Sequence, residues 1–484
     1  MSAISLFILL LLYFAVLMGV AWQTARHASN QSFFIGNKRS HWLLVAVGMV
    51  GTTLSGVTFV SVPGMVGREG YAYLQVMAGY IVGYVLVAGV LLPLYYRMQL
   101  TSIYEYLAQR LGQGAYLSGA SCFIVARTLS GSARLYLVVN ILQATLLDRL
   151  QVPFWLTTVV ILLMILLYTY QGGVRTLVWT DTLQTLGMLL AVAACVYWLL
   201  GQLDLDVAAA WTAQQRAGLT HVLNLQWDSP GYFWKQFLAG IFIVLAMTGM
   251  DQEIMQKNIS VPTLRDAQKN MLVLTIVLSA VLLLFMFLGG MLTLYARNAG
   301  MEVSGDKLFP AVVMQHMPAA LQLLFFLGLV SALFPSADGA MTALTASFCL
   351  DILGWQHRTD LSEADKLRQR HWVHLGFCAL FLALVLLFRW IDNASMIGLI
   401  LKLTGYTYGP ILGLFAFGLL TRRTLRHGVR RLVPLVALAG PVLCYLLELN
   451  QAALFGSYRM GLELLIVNGL LVFAGLWLIS RPQR

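Results

Sequence analysis

Four ionisable side chains, Arg134, Asp181, Asp338 and Lys402, stand inside long apolar runs of this 484-residue chain. A charge in such a run is expensive, so each is a functional candidate. Asp338 lies in Ala332-Leu333-Phe334-Pro335-Ser336-Ala337-Asp338-Gly339, which offers a carboxylate, a hydroxyl and main-chain carbonyls. Oxygen ligands of these three kinds suit a hard cation. The other reading pairs Asp338 with a lysine such as Lys402. Asp181, in Val178-Trp179-Thr180-Asp181, taken alone reads as an interfacial charge in the first turn of a helix. Arg134 has the planar fork that grips a carboxylate. It could equally neutralise an acid, and Arg127 competes for either role. His371 and His374 read as part of an interfacial face rather than a metal pair.

Hydroxyl residues cluster where a helix would be weak. Gly51-Thr52-Thr53-Leu54-Ser55-Gly56 is followed by Thr58, Ser61, Pro63 and Gly64. Inside a bilayer, unwound backbone survives only where protein or a wet cavity satisfies it. Two glycines bracketing hydroxyls therefore suggest a local break that frees carbonyls toward an ion, against the alternative of small-residue helix packing. Thr248-Gly249-Met250-Asp251-Gln252-Glu253 is a second weak point. Interruptions at corresponding places in two five-helix repeats would mark a binding site at the midplane. The Gly79/Gly83 and Gly405/Gly409/Gly413 series, with Pro410, read as close helix packing.

The elements that hold these residues are membrane spans. The chain is 59% hydrophobic and only 11% charged, with a mean hydropathy of +0.78. A soluble domain carries about 25% charged residues. Apolar stretches near 4–22, 42–66, 72–96, 117–146, 153–170, 178–200, 233–254, 272–297, 309–349, 372–390, 394–420, 430–449 and 457–480 give about thirteen spans. The ninth is too long for one straight helix, so part of it is expected to lie outside the membrane as a loop helix. No cationic segment precedes the first stretch, which reads as a retained span rather than a cleaved signal.

With the N-terminus outside, the inner loops carry Arg26, Lys38 and Arg39, then Arg97 and Arg110, then Arg175. Further along they carry Lys257, Arg265 and Lys269, then Arg358, Lys366, Arg368 and Arg370. The last are Arg422, Arg423, Arg426, Arg430 and Arg431, then Arg481 and Arg484. Asp204, Asp206, Asp228, Glu302, Asp306 and Asp392 fall outside. This is the positive-inside pattern. It accounts for the net charge of +11 without a nucleic-acid partner. The five cysteines, Cys122, Cys195, Cys349, Cys378 and Cys444, lie in apolar segments with no CxxC spacing, so neither a disulfide framework nor a metal cluster is indicated. No convergent catalytic set is visible, and the expectation is a carrier of a small solute, not an enzyme. A channel would lack paired ion and solute sites, and a sensor would need a further domain for which the chain shows no room.

Several motifs together resemble the sodium:solute symporter family over residues 5 to 420. They are Thr52-Thr53-Leu54-Ser55-Gly56-Val57-Thr58-Phe59, Thr101-Ser102-Ile103-Tyr104-Glu105-Tyr106-Leu107, Gly172-Gly173-Val174-Arg175, Trp179-Thr180-Asp181, and Asp338 through Asp351-Ile352-Leu353. The resemblance implies the leucine-transporter-type fold: one all-α polytopic domain of a plasma membrane over 1–484, C-terminus cytoplasmic. It contains a five-plus-five inverted repeat over approximately 42–200 and 233–420, with broken helices. It implies sodium as the coupling ion, held by carbonyls of Gly51, Leu54 and Ala332 and the Ser336 hydroxyl, with Asp181 at a second sodium position. Pro335 stands where the family has another hydroxyl, and Asp338 either replaces that ligand or signals a different ion, protons included. The broken helix is most similar to that of sialic-acid symporters, which implies Thr53, Ser55 and Thr58 as substrate contacts, Tyr73 as an aromatic gate, and Arg134 as the carboxylate ligand. Met77 replaces a substrate-binding Gln. The implied activity is sodium-coupled symport of a sugar, acidic sugar or carboxylate by alternating access, in contact with lipid and with no obligate protein partner. Each sodium entering contributes about 2.3 kcal/mol per 100 mV.

Overall fold

The computed structural model describes residues 3–25, 30–355, 358, 360–391, 396–425 and 430–482. Arg26, Asp392, Arg426 and Arg484 of the charge pattern lie outside the described residues. The described residues form a stack of helices, with one two-stranded ribbon among them pairing Arg423–Leu425 with Ser480–Pro482. We label the helices α1 (Ala3–Ala25), α2 (Trp42–Glu69), α3 (Tyr73–Arg97), α4 (Gln113–Leu142), α5 (Phe154–Tyr170) and α6 (Gly173–Gln202). Then come α7 (Phe233–Gly249), α8 (Gln252–Ile259), α9 (Leu264–Asn298), α10 (Leu308–His316) and α11 (Ala319–Ile352). The last are α12 (Glu363–Ile391), α13 (Met396–Leu420), α14 (Arg430–Leu449) and α15 (Leu464–Ile479).

Among the described residues, nine helices are long and apolar enough to cross a membrane, and α7 with α8 forms a tenth span bent by 63°. Three shorter apolar helices, Ile8–Thr24, Phe154–Tyr170 and Leu464–Ile479, fall where the remaining spans are expected. The long apolar run at 309–349 divides as anticipated: α10 is separate, and α11 alone is the span. Leu, Val and Trp side chains face outward all along the helices. Lipid is the environment that makes this tolerable.

Small residues set the helix contacts. A Cβ added at Gly79 or Gly240 would collide with the facing backbone, so α3 and α7 touch there with nothing between them. Gly83 meets the Ile241 carbonyl in the same seam. Gly409 and Gly413 similarly let α13 lie on α15, where Asn468 donates to the carbonyls of Gly405 (3.0 Å) and Tyr406 (2.8 Å). These are the packing roles that four-residue glycine spacing suggests.

Three interruptions matter for function. Within α2, Ser55 has φ 39° and ψ 164°. A non-glycine residue in this region is rare and persists where the surroundings hold it. Between α7 and α8, Met250 is non-helical and Asp251 caps α8 through its side chain, accepting from the N–H groups of Glu253 and Ile254. Between α5 and α6, Gly173 takes φ 54° and presses on the Phe33 backbone, where a side chain would not fit.

Candidate functional site

The freed backbone of the α7/α8 break is satisfied from the last turn of α3 and the loop that follows it. Tyr95 donates its hydroxyl to the Gly249 carbonyl (2.7 Å) and Tyr104 donates to that of Met250 (3.1 Å). Gln252 accepts from the Ile103 N–H (3.0 Å) and donates to the Thr101 carbonyl (3.0 Å). The Thr101–Leu107 motif is thereby explained: it fixes the break. Nearby, Asp351 accepts from Tyr116 (2.9 Å) and Ser347 (2.6 Å), tying the end of α11 to the start of α4.

Beside the break in α2 lies a cavity of about 110 Å³. Thr53, Ser55, Thr58, Tyr73 and Arg134 line it, with Tyr80, Tyr84, Thr248 and Arg127. Five of the six substrate contacts implied by the sequence are therefore gathered in one place. Met77 is not among the lining residues. It is half-buried against the apolar core, and the Tyr73 and Tyr80 hydroxyls, 3.2 Å apart, bridge the turn that carries it and form the wall instead.

The two arginines are not equivalent. Arg127 forms an ion pair with Glu253 and lies 3.9 Å from Asp251 Oδ2, which also accepts from the Tyr408 hydroxyl at 2.6 Å. Arg134, two turns along α4, has no ion pair or hydrogen bond to any described residue. One cation in the wall is thus held in an ion pair with protein, and the other is not.

The proposed ion ligands are arranged less simply. Gly51, Leu54, Ala332, Ser336, Asp181 and Asp338 are all buried. Gly56 faces the backbone of Leu333, so the α2 break lies against the turn of α11 carrying Ala332 and Ser336. Ser336 donates to the Leu333 carbonyl (2.8 Å), leaving its lone pairs available. Pro335, inside α11, has no N–H to give the Ser331 carbonyl one turn back. Asp338 is bonded to the Tyr168 hydroxyl and to the Gly339 N–H (2.5 Å).

Two charges are paired otherwise than the sequence suggests. Lys402 does not approach Asp338; it pairs with Glu448 at 2.6 Å, half-exposed. Asp181 is not an interfacial cap, because it sits two turns into α6 and is fully buried. Its partner is Lys257, whose ammonium is 2.6 Å from Asp181 Oδ2 and 2.8 Å from Thr52 Oγ1. Lys257 reads in the sequence as an inner-loop cation, but the span does not end before it. After the break the chain continues as α8, a half-helix buried along its whole length. Glu253, Asp251 and Tyr408 were likewise not legible as site residues. The only available signal was an unusually polar segment beginning at a helix break. His374 is not on an interfacial face: it is fully buried, with both ring nitrogens within reach of hydroxyls, Thr169 at 3.0 Å and Thr345 at 2.9 Å.

A family model described as the sodium:solute symporter family matches residues 33–430. The chain belongs to the sodium:solute symporter family. Among its relatives, the sodium-dependent multivitamin transporter of Oryctolagus cuniculus is 25% identical over 85% of this chain and 65% of its own length. The human sodium-coupled monocarboxylate transporter 1 is 27% identical over 81% of this chain and 64% of its own. The chain thus spans just under two thirds of those two proteins. The sodium/sialic acid symporter NanT of Aliivibrio fischeri is 23% identical, with 86% and 83% covered. In three dimensions, a substrate-bound, outward-open Na+-coupled sialic acid symporter superposes with a TM-score of 0.83 at 18% identity, covering 99% of both chains. The fold of this family member is accordingly the all-α polytopic, broken-helix fold of leucine-transporter type.

Proposed function

We propose that this symporter-family member couples the entry of sodium to that of an organic carboxylate, by alternating access across a plasma membrane. The observation that carries the reading is Arg134: it lines the cavity at the α2 break without an ion pair to any described residue, whereas Arg127 beside it is paired with Glu253. A half-buried guanidinium that lines a cavity with no acid in ion-pair contact favours an anion. Thr53, Ser55 and Thr58 supply hydroxyls along the same wall, and Tyr73 with Tyr80 closes it. The relatives named for monocarboxylates and sialic acid carry substrates with this group in common.

Sodium would be held where α2 meets α11, by carbonyls of Gly51, Leu54 and Ala332 and the Ser336 hydroxyl, with Asp338 contributing negative charge. The breaks at Ser55 and at Gly249–Asp251 occupy comparable places in segments 42–200 and 233–420, which supports two inverted repeats within one transmembrane domain. The N-terminus would face outside and the C-terminus the cytoplasm. Support comes from the basic cluster at one end, where Arg430 packs on Gly112 and Gly114, and Arg110 donates to carbonyls of Gly418 (3.2 Å) and Arg423 (3.0 Å).

The test is uptake into proteoliposomes of labelled lactate, sialic acid and glucose, each under an inward sodium or potassium gradient. Sodium-driven accumulation of a carboxylate and not of glucose is expected. Equal uptake in the two salts would refute the coupling, and accumulation of glucose alone would refute the assignment to Arg134.

A further inference from the structure

Beyond the solute cavity, one cluster is unexplained by symport alone: the ammonium of Lys257 at the Asp181 carboxylate, where the family resemblance implies a second sodium position. Lys257 lies one turn beyond Glu253 on α8, and both side chains are buried. The ammonium is enclosed by oxygens from two other helices, Asp181 Oδ2 of α6 at 2.6 Å and Thr52 Oγ1 of α2 at 2.8 Å. These two oxygens are themselves 3.2 Å apart. A carboxylate and a hydroxyl at this spacing are the donors a monovalent metal ion would take. Asp181 Oδ1 has no hydrogen-bond partner among the described residues, so the carboxylate's remaining lone pairs are not committed elsewhere. The other charged groups around Lys257 are Glu253 on its own helix, which packs on Gly339 of α11, and Asp338 beside that glycine. Arg127 of α4 already engages Glu253.

We propose that Lys257 is a built-in cation of the Asp181 carboxylate, standing where a second coupling sodium would otherwise bind, so that this transporter carries one sodium fewer than its carboxylates alone would admit. A tethered ammonium satisfies Asp181 at every stage of the cycle without drawing on the gradient. It also fastens α8 to α6 and to the inner half of α2, three residues before the Ser55 break. Sodium reaching the Asp181 oxygens must displace it, and the lysine is held at high local concentration by its own helix. This inference rests on the proposed sodium coupling, and the two can fail separately.

The experiment counts sodium bound per chain at saturation, with 22Na+ and purified full-length protein in detergent, alongside the Hill coefficient for sodium-driven uptake. Lys257→Met keeps the length of the stem and removes the charge. It should bind one more sodium than the wild type and raise the Hill coefficient by about one, while Lys257→Arg should bind the wild-type number. The neutral pair Asp181→Asn with Lys257→Met covers the case in which the single variant does not fold, and it should also bind the wild-type number. An unchanged count in folded Lys257→Met overturns the proposal, as does loss of one sodium in the double variant, which would mean that Asp181 holds sodium despite the lysine. A wild type that binds no sodium and takes up carboxylate equally in potassium would overturn the coupling instead.

Discussion

The division of labour between Arg134 and Arg127 is open to a direct experiment. If Arg134 grips the solute, Arg134→Gln removes charge-assisted hydrogen bonds to a carboxylate, worth about 1.5–3 kcal/mol. At 1.36 kcal/mol per decade, that raises the dissociation constant roughly 10- to 150-fold. The fold should hardly notice, because no described residue depends on Arg134 as a partner. Arg127→Gln should do the opposite. Glu253, fully buried, would lose its ion pair, and breaking one side of such a pair costs about 3–5 kcal/mol. The thermal midpoint should fall, and Arg127→Gln with Glu253→Gln should recover much of it. The assay is a titration of labelled carboxylate at saturating sodium, paired with the unfolding midpoint of each purified variant. The reasoning is refuted if Arg134→Gln binds carboxylate like the wild type, or if Arg127→Gln weakens binding with its midpoint unchanged.

Three further outcomes follow from particular contacts. Ser336→Ala should raise the sodium concentration for half-maximal uptake roughly 5- to 30-fold, as for the loss of one ligand worth about 1–2 kcal/mol, with carboxylate affinity at saturating sodium kept within about twofold; unchanged sodium dependence would remove Ser336 from the ion site. Tyr95→Phe orphans the Gly249 carbonyl, now 2.7 Å from the hydroxyl, and should destabilise the protein by about 1–3 kcal/mol, read as a lower midpoint in thermal unfolding. Burial of Asp306, in the loop before α10, holds its carboxyl above its ordinary value of 3.8. Its neutral form is therefore the one the fold prefers, so its contribution is full below pH 3.8 and is lost as pH rises through the elevated value. Asp306→Asn should thus be more stable than the wild type at pH 7 and lose that advantage near pH 4; a constant difference across the range would show that the carboxyl is not perturbed.

What the sequence revealed and what it hid divide along a physical line. Spans, their order and the break at Gly51–Gly56 were legible because apolar length and the company of Gly, Ser and Thr are local properties of the chain. The split of 309–349 into α10 and α11 followed from length alone. The Gly79 and Gly409 seams were legible for the same reason, since a small residue every fourth position announces a close neighbour without naming it. Pairing of charges was not legible. Lys257 follows an apolar run by a few residues, as a loop cation would, and only the 63° bend that turns α8 back into the protein makes it a buried partner of Asp181. Lys402 misled in the opposite sense: it looks intramembrane by position, yet its partner is a glutamate 46 positions away that no local pattern connects to it. Met77 failed at a finer grain, because the tyrosine pair that screens it depends on side-chain direction across two turns of α3.

The same geometry bears on how ion and solute could feel each other. Coupling requires each ligand to favour one arrangement of a shared element over another, and its effect is reciprocal. The shared element here is four residues long. Thr52 bonds to Asp181 and Lys257, Thr53 lines the solute cavity and donates to the Met49 carbonyl at 2.8 Å, and Ser55 carries the break that frees the intervening carbonyls. At the proposed ion site, a cation gathered by those carbonyls would fix the dihedral angles at Ser55, and those angles would set where the hydroxyls of Thr53, Ser55 and Thr58 point. No signal would need to cross the protein, because on the proposed assignment one strained residue would have the ion on one side and the solute on the other. The polar half of the α7/α8 break acts on the same spot from behind, since Glu253 holds Arg127 in the cavity wall while Lys257, one turn along, holds Thr52. The two broken spans therefore meet at a single unwound turn, and in the proposed mechanism the occupancy of either site would be felt through that turn's backbone by the other.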